Sequence, residues 1–281
     1  MSDNLEPVVL IERRTIFRHP AWLRATHWIN AICLTGLFLS GLQVFNAHPA
    51  LYFGNASDFD HPVFSISANE DGTKGFTSLL GHAIETTGTL GVSRGPDGNE
   101  TRGFPRWITV PAEQNLATGR RWHFLFAWCL VLNGIAYLVF GTVSGHLARD
   151  VWPRVTDLAK LPRSIYDHLM LRFPRGDEAR HYNVLQKLTY AGVVFLVIPL
   201  MIFAGLTMSP GMDAAFPTLL QLFGGRQTAR TVHFVLAWTL VLFVLVHVAM
   251  ALLTGLGNNL RSMLTGRFRL EETRVHDQDV V

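Results

Sequence analysis

Four of the twelve histidines in this 281-residue chain fall inside strongly apolar stretches: His27, His123, His233 and His247. Every Asp and Glu lies outside those stretches. The last two histidines bracket the run HFVLAWTLVLFVLVH and are fourteen residues apart. On an α-helix, at about 100° and about 1.5 Å per residue, they project from nearly one face and stand about 21 Å apart along the axis. Two ligands so far apart cannot share an ion whose ligands all lie within about 2 Å of it. The spacing calls for two centres, each completed by a histidine from another helix.

The elements that must position these side chains are four apolar windows, at about 22–46, 122–145, 184–208 and 229–256, each long enough at roughly 20 residues or more to cross a bilayer. With 49% hydrophobic and 16% charged residues, the whole composition agrees with a membrane protein. The first window follows some twenty polar residues and is too long for a signal-peptide core, so it is expected to remain as a span. Sixteen of the 24 Lys and Arg fall in the N-terminal arm, the 2/3 connection and the C-terminal tail, which predicts a multi-pass protein with both termini cytoplasmic. The net charge of +3 follows from the same bias and gives no reason to invoke nucleic acid. Cys33 and Cys129 fall in different spans, about 12 Å apart in depth, beyond disulfide reach.

In that orientation His27 and His247 lie toward the cytoplasmic face, and His123 and His233 toward the outer face. A flat macrocycle gripped axially from two helices fits such pairs. The attachment signature C-x-x-C-H is absent from the sequence, so non-covalent, bis-histidine haem b is the expected occupant, twice: His27 with His247 and His123 with His233. With both axial positions filled by protein, the iron has no open site, and electron transfer is the expected task. A haem-free anchor or metal-ion transporter is the alternative of another class, and the lack of intramembrane carboxylates counts against it.

Arg24, Arg120 and Arg230 each precede one of these histidines by three residues, one helical turn nearer water. They are candidates for haem propionate contacts, and equally for snorkelling side chains at a membrane surface. Gly36, Gly41, Gly134 and Gly141 are candidates for admitting a macrocycle, and equally for bare helix packing. In the third span, Asn183, Gln186 and Lys187 lie near the depth of His247. They suit a quinone carbonyl, while Asn183 and Gln186 also read as a capping box; Pro199 should kink this helix. R-x-x-H-F-x-x-A-W occurs twice, at 120–128 and 230–238, opening the second and fourth spans.

The connection at 47–121 is the long one. It holds turn clusters such as GPDGNETRG, aromatic residues and a predicted short helix at TSLLGHAIETTG. It reads either as a docking insertion or as a folded cap. Pro162 divides two amphipathic stretches, TDLAKL and RSIYDHLMLRF, and DAAFPTLLQLF lies between spans 3 and 4; these suit the headgroup region.

R-A-T-H-W at 24–28, the histidines fourteen apart, Y-N-x-x-Q-K at 182–187 and S-M-L-T-G-R at 262–267 together resemble the bacterial dihaem cytochrome b superfamily. Its members include cytochrome b561 and the membrane subunits of formate dehydrogenase, nickel-iron hydrogenase and thiosulfate reductase. The resemblance covers the four-helix body and not the long connection. It implies two haems b with the same pairing, and a quinone site near the inner haem that uses Asn183 and Gln186. The long connection is similar to that of chains partnering periplasmic molybdopterin oxidoreductases.

The expectation is thus an all-α, four-helix bundle forming a single domain over 1–281, with an outer insertion at 47–121, in a bacterial inner membrane. It would pass electrons through two bis-histidine haems between a quinone pool and a periplasmic oxidoreductase, quinone oxidation or reduction being its own reaction. A stand-alone cytochrome serving a small-molecule redox partner is the alternative within redox chemistry.

Overall fold

The computed structural model describes residues 8–170 and 183–276. Arg172, Arg175, Arg180, Tyr182 and the end of the RSIYDHLMLRF stretch lie outside the described residues.

The chain starts with strand β1 (Val8–Phe17), followed by helix α1 (Ala21–Phe45). Between α1 and α2 (Leu116–Val143) come six strands: β2 (Ala50–Leu51), β3 (Phe64–Ala68), β4 (Gly75–Leu79), β5 (His82–Glu85), β6 (Gly91–Gly95) and β7 (Gly98–Arg102). Short helices α3 (Val155–Leu158) and α4 (Leu161–Leu169) follow, then α5 (Val184–Gly192) and α6 (Ile198–Leu206). After α7 (Pro210–Ala215) and α8 (Pro217–Leu222) come the long α9 (Arg226–Leu253), α10 (Leu256–Thr265) and strand β8 (Arg267–His276).

Four helical segments are long and apolar enough to cross a membrane: Ala21–Phe45, Leu116–Val143, Val184–Leu206 and Arg226–Leu253. The last two bury only 6% of their most apolar windows within the protein, so their side chains face outward. Lipid is the environment in which such surfaces are stable. Span 3 is interrupted where Pro199 predicts a kink, by a π-helical turn at Val193–Val197 immediately before α6.

The fold is mostly helical, but it is not all-α. The predicted helix at TSLLGHAIETTG is instead the β4–β5 hairpin. Leu80 and Gly81, with φ of 49° and 83°, form its two-residue turn, and positive φ at both positions gives the twist that antiparallel strands require. Strands β2–β5 form one antiparallel sheet, and β6–β7 a hairpin around Pro96–Asp97, where the turn cluster was read. Gly75 and Gly91 let the two layers touch backbone to backbone: a Cβ on Gly75 would meet Val92 N at 2.6 Å. The second correction is β1, which pairs with β8 from Val8↔His276 to Phe17↔Arg267. Polar residues mask a strand whose ends, VVLI and TIF, are rich in β-branched and aromatic side chains.

The described chain forms two compact units. The first draws on residues 1–27, 137–192 and 244–281, and the second on 28–136 and 193–243. In the second unit the connection between α1 and α2 is a folded module around Leu42, Phe45, Leu51, Ile66 and Phe104, with Phe64 and Phe234 packed against them. Aromatic residues that looked available for docking thus include core residues. Gly54 O accepts from Gln227 N at 3.0 Å and Thr228 N at 3.3 Å. It thereby satisfies donors that the first turn of α9 would otherwise leave open.

In the first unit, Gly266 ends α10 with φ of 78° and turns the chain into β8. His19, between β1 and α1, is 9% exposed. Burial first, and then the Arg18 guanidinium, push its pKa down from 6.5 to about 4. It is therefore neutral in the fold, whereas in the unfolded chain it takes up a proton near pH 6.5. Its contribution to stability is fully present above about pH 6.5 and is lost as pH falls through about 4. The melting temperature of the solubilised protein should fall over that interval, and less steeply in His19→Asn; equal slopes would remove His19 as a cause.

Candidate functional site

Each unit holds one of the expected histidine pairs. In the second unit His123 on α2 and His233 on α9 face each other, with ring centroids 6.2 Å apart and ring planes at 63°. In the first, His27 on α1 and His247 on α9 stand 6.3 Å apart with planes at 52°. Two imidazoles on opposite sides of one metal, with bonds of about 2 Å and about 1.1 Å from nitrogen to ring centre, have centroids about 6.2 Å apart. Both pairs have the separation that an axially ligated metal requires. Among the described residues no three His, Cys, Asp or Glu side chains gather where they could share a metal ion.

In the second unit the rings are oriented by their rear nitrogens. His123 Nδ1 lies 3.1 Å from Leu37 O and 3.1 Å from Ser40 Oγ. The Ser40 hydroxyl itself donates to Gly36 O at 2.6 Å, so Ser40 accepts from the ring. His233 Nδ1 donates to Met201 O at 2.9 Å. A proton fixed on Nδ1 leaves the Nε2 lone pair for a metal, the second-layer arrangement typical of ligating histidines. Glycine makes room for each ring. A Cβ on Gly41 would stand 3.3 Å from His123 Cε1, and one on Gly205 3.2 Å from His233 Cε1. Gly41 was among the glycines singled out from the sequence, while Gly205, Ser40 and the two carbonyls were not. A serine with no exposure inside an apolar helix was the available signal. Gly36 faces the Phe126 ring and Gly141 the Leu147 side chain, whereas Gly134 meets nothing within 4 Å.

The arginines have other partners. Arg24 Nη1 donates to Leu264 O in the first unit. Arg230 donates to Ala50 O at 3.0 Å and to His48 O, with its guanidinium over the Phe45 ring. These bonds tie the start of α9 to the folded module. Arg120 is exposed and lies 5.8 Å from the centre of the Phe124 ring.

The family model described as prokaryotic cytochrome b561 matches residues 18–266, from the turn before α1 to the end of α10. The chain belongs to the prokaryotic cytochrome b561 family. Membership implies haem b, and both histidine pairs have the spacing for it. This b561-type chain is also similar to a putative protein-methionine-sulfoxide reductase subunit, YedZ1, of Azospira oryzae. The two are 29% identical over 235 residues, which cover 84% of this chain and 90% of the relative. No solved structure matches.

The α5 residues lie in the first unit, as do His27 and His247. Asn183 Oδ1 accepts from Gln186 N at 2.9 Å, and Gln186 Oε1 accepts from Asn183 N at 3.2 Å, a reciprocal capping box. Lys187 donates to Asp157 Oδ2 at 3.2 Å. The Arg154 backbone N–H, and then Lys187, hold the Asp157 carboxyl below its ordinary pKa. On α5 Tyr190 stands edge-on to His247, with centroids 6.4 Å apart. Cys33 and Cys129 are both free, the first buried and the second exposed.

Proposed function

We propose that the protein is a dihaem electron carrier that takes electrons from a quinol on the cytoplasmic side and delivers them to an oxidoreductase on the outer side, both termini being cytoplasmic. His27 with His247, and His123 with His233, would each hold one haem b. The observation that supports this most directly is the pair of centroid separations, 6.3 and 6.2 Å, in two units built from different stretches of chain. When bound, each haem supplies one-electron exchange at an iron closed to other ligands. The protein's part is to fix the imidazoles, which in the second unit fall to Leu37 O, Ser40 Oγ and Met201 O, and to shield them with apolar helices.

The outward direction and the periplasmic molybdopterin-type partner rest on the likeness to a protein-methionine-sulfoxide reductase subunit and on the long connection. For the quinone, Asn183, Gln186 and Lys187 lie on the α5 end of the unit that holds His27 and His247. Asn183 and Gln186 use their side-chain oxygens for the helix cap, and the NH2 groups are the donors suited to a quinone oxygen.

The double variant Asn183→Asp with Gln186→Glu separates the two roles. Asp and Glu keep the cap acceptors but remove both NH2 donors. Reduction of the haem-loaded protein by a soluble naphthoquinol, followed in the visible spectrum, should slow about tenfold or more. Haem content and reduction by dithionite should stay as in the parent. Unchanged quinol kinetics would confine both residues to capping.

A further inference from the structure

Immediately after α2, at the start of a π-helical turn (Leu147–Val151), His146 is buried at 8% exposure. Its Nδ1 lies 2.8 Å from Asp150 Oδ2. Its ring is held edge-on to Trp22 of α1, 5.6 Å between centroids, and to Tyr137 of α2 at 6.5 Å. Trp22 in turn stacks on Phe140. The π turn packs against α5, the helix that carries Gln186, Lys187 and Tyr190. The electron-transfer reading makes no use of His146 and Asp150.

Exposure rises in steps along this group. The side chain of His146 is 11% exposed, that of Asp150 is 25%, and that of Arg149, which pairs with Asp150 at 3.2 Å, is 66%. A buried imidazole is thus joined through a carboxylate to solvent. Nδ1–H donates to Asp150, so Nε2 is the nitrogen that can take up a proton, and the carboxylate stabilises the imidazolium that results.

We infer that His146 and Asp150 form the proton-transfer pair of the cytoplasmic-side quinol site, His146 as the base and Asp150 as its orienting partner. The inference rests on the quinol reading above. Oxidation of one quinol to quinone breaks two O–H bonds and releases two electrons and two protons. The electrons would go to the haem that His27 and His247 would hold. Each proton passes to His146 Nε2, the imidazolium gives its Nδ1 proton to Asp150 and on to water, and the ring returns to the Nδ1–H tautomer before the second proton.

The charged and titratable groups on the elements that meet the pair are Arg149 in the π turn, His19 before α1, and Lys187 and Tyr190 on α5, Lys187 being itself paired with Asp157 of α3. His146 is among the groups that disfavour the charged form of His19.

The test uses the haem-loaded protein and the same soluble naphthoquinol between pH 5.5 and 8.5. The parent rate should rise with pH, as a step that needs an unprotonated base requires. His146→Gln should be slower by about a hundredfold with a flattened profile. Asp150→Asn should fall between the two and shift the profile toward acid. Haem stoichiometry and dithionite reduction should be unchanged in both variants, which separates a lost proton path from a lost fold. If the parent reacts with quinol and His146→Gln matches it in rate and profile, the pair is structural and the inference is overturned. Should the parent take electrons from dithionite but never from quinol, the quinol reading itself falls. If His146→Gln loses haem, Asp150→Asn decides alone, and a parental profile in that variant overturns the inference.

Discussion

If the two histidine pairs each hold a haem, His247→Ala should bind one haem where the parent binds two, and so should His123→Ala, each losing a different one. The expectation follows from how the ligands are grouped. His27 and His247 stand 6.3 Å apart in one unit, and His123 and His233 stand 6.2 Å apart in the other. Removing one imidazole leaves its partner as a lone ligand to a non-covalent cofactor, whereas the second pair keeps both its ligands. Haem per chain, measured by pyridine extraction on purified protein, reads the result directly. The reduced-minus-oxidised spectrum and a redox titration then show which component has gone. His61→Ala is the matched control, because that side chain is 83% exposed in the module between α1 and α2 and should leave the parent's haem content unchanged. A His247→Ala protein that retained two haems would refute the pairing.

The next largest effect is expected at Arg102, in the module between α1 and α2. Its guanidinium, with only 2% of the side chain exposed, donates to Ala112 O at 2.8 Å, to Gln43 Oε1 at 2.8 Å and to Thr109 Oγ1 at 2.9 Å. Glu100 Oε2 lies 3.6 Å away and balances the charge. Gln43 belongs to α1 and donates onward to Glu113 O, so one buried cation joins the module to the helix that carries Ser40 and Gly41. Arg102→Ala empties this position and leaves three acceptors without their donor, while Glu100 keeps Arg106 at 3.0 Å. A buried polar group left without its partner costs about 1–3 kcal/mol. The variant should therefore melt at markedly lower temperature and be cut by protease within 47–121 under conditions that leave the parent intact. Arg102→Lys should recover only part of the loss, because an ammonium cannot reproduce the planar fork. A parental melting curve for Arg102→Ala would show that the network contributes little.

Much of the site could be read before any coordinates, because its signals are local. A run of apolar residues long enough for a bilayer declares a helix whatever surrounds it, and all four windows became helices within a few residues of the expected ends. Because a helix has a fixed rise and turn, the fourteen residues between His233 and His247 already set them about 21 Å apart, too far to share one ion. The capping box at Asn183 and Gln186 is just as local, and it formed.

What the sequence left open depends on residues far apart in the chain. The imidazoles of His123 and His233 are oriented by carbonyls of Leu37 and Met201, and no side-chain code marks which backbone oxygen will face a ring. Spacing along α9 left Arg230 open between a propionate contact and a snorkelling side chain; its hydrogen bonds go to His48 and Ala50, brought there by the fold of the module between α1 and α2. That module was itself misjudged at TSLLGHAIETTG. Short strands carry little periodicity, and the hairpin depends on a two-residue turn and on partners supplied by β3. Strands β1 and β8 pair across 250 residues or more, a register that no local pattern encodes. The sequence by itself determined the four spans and the histidines whose spacing the dihaem proposal uses, since helix geometry converts spacing directly into direction and depth. Only the tertiary structure decided which groups orient those histidines, where the arginines donate and that Trp22 of α1 covers the His146 ring, because each depends on contacts between separate helices, strands or turns.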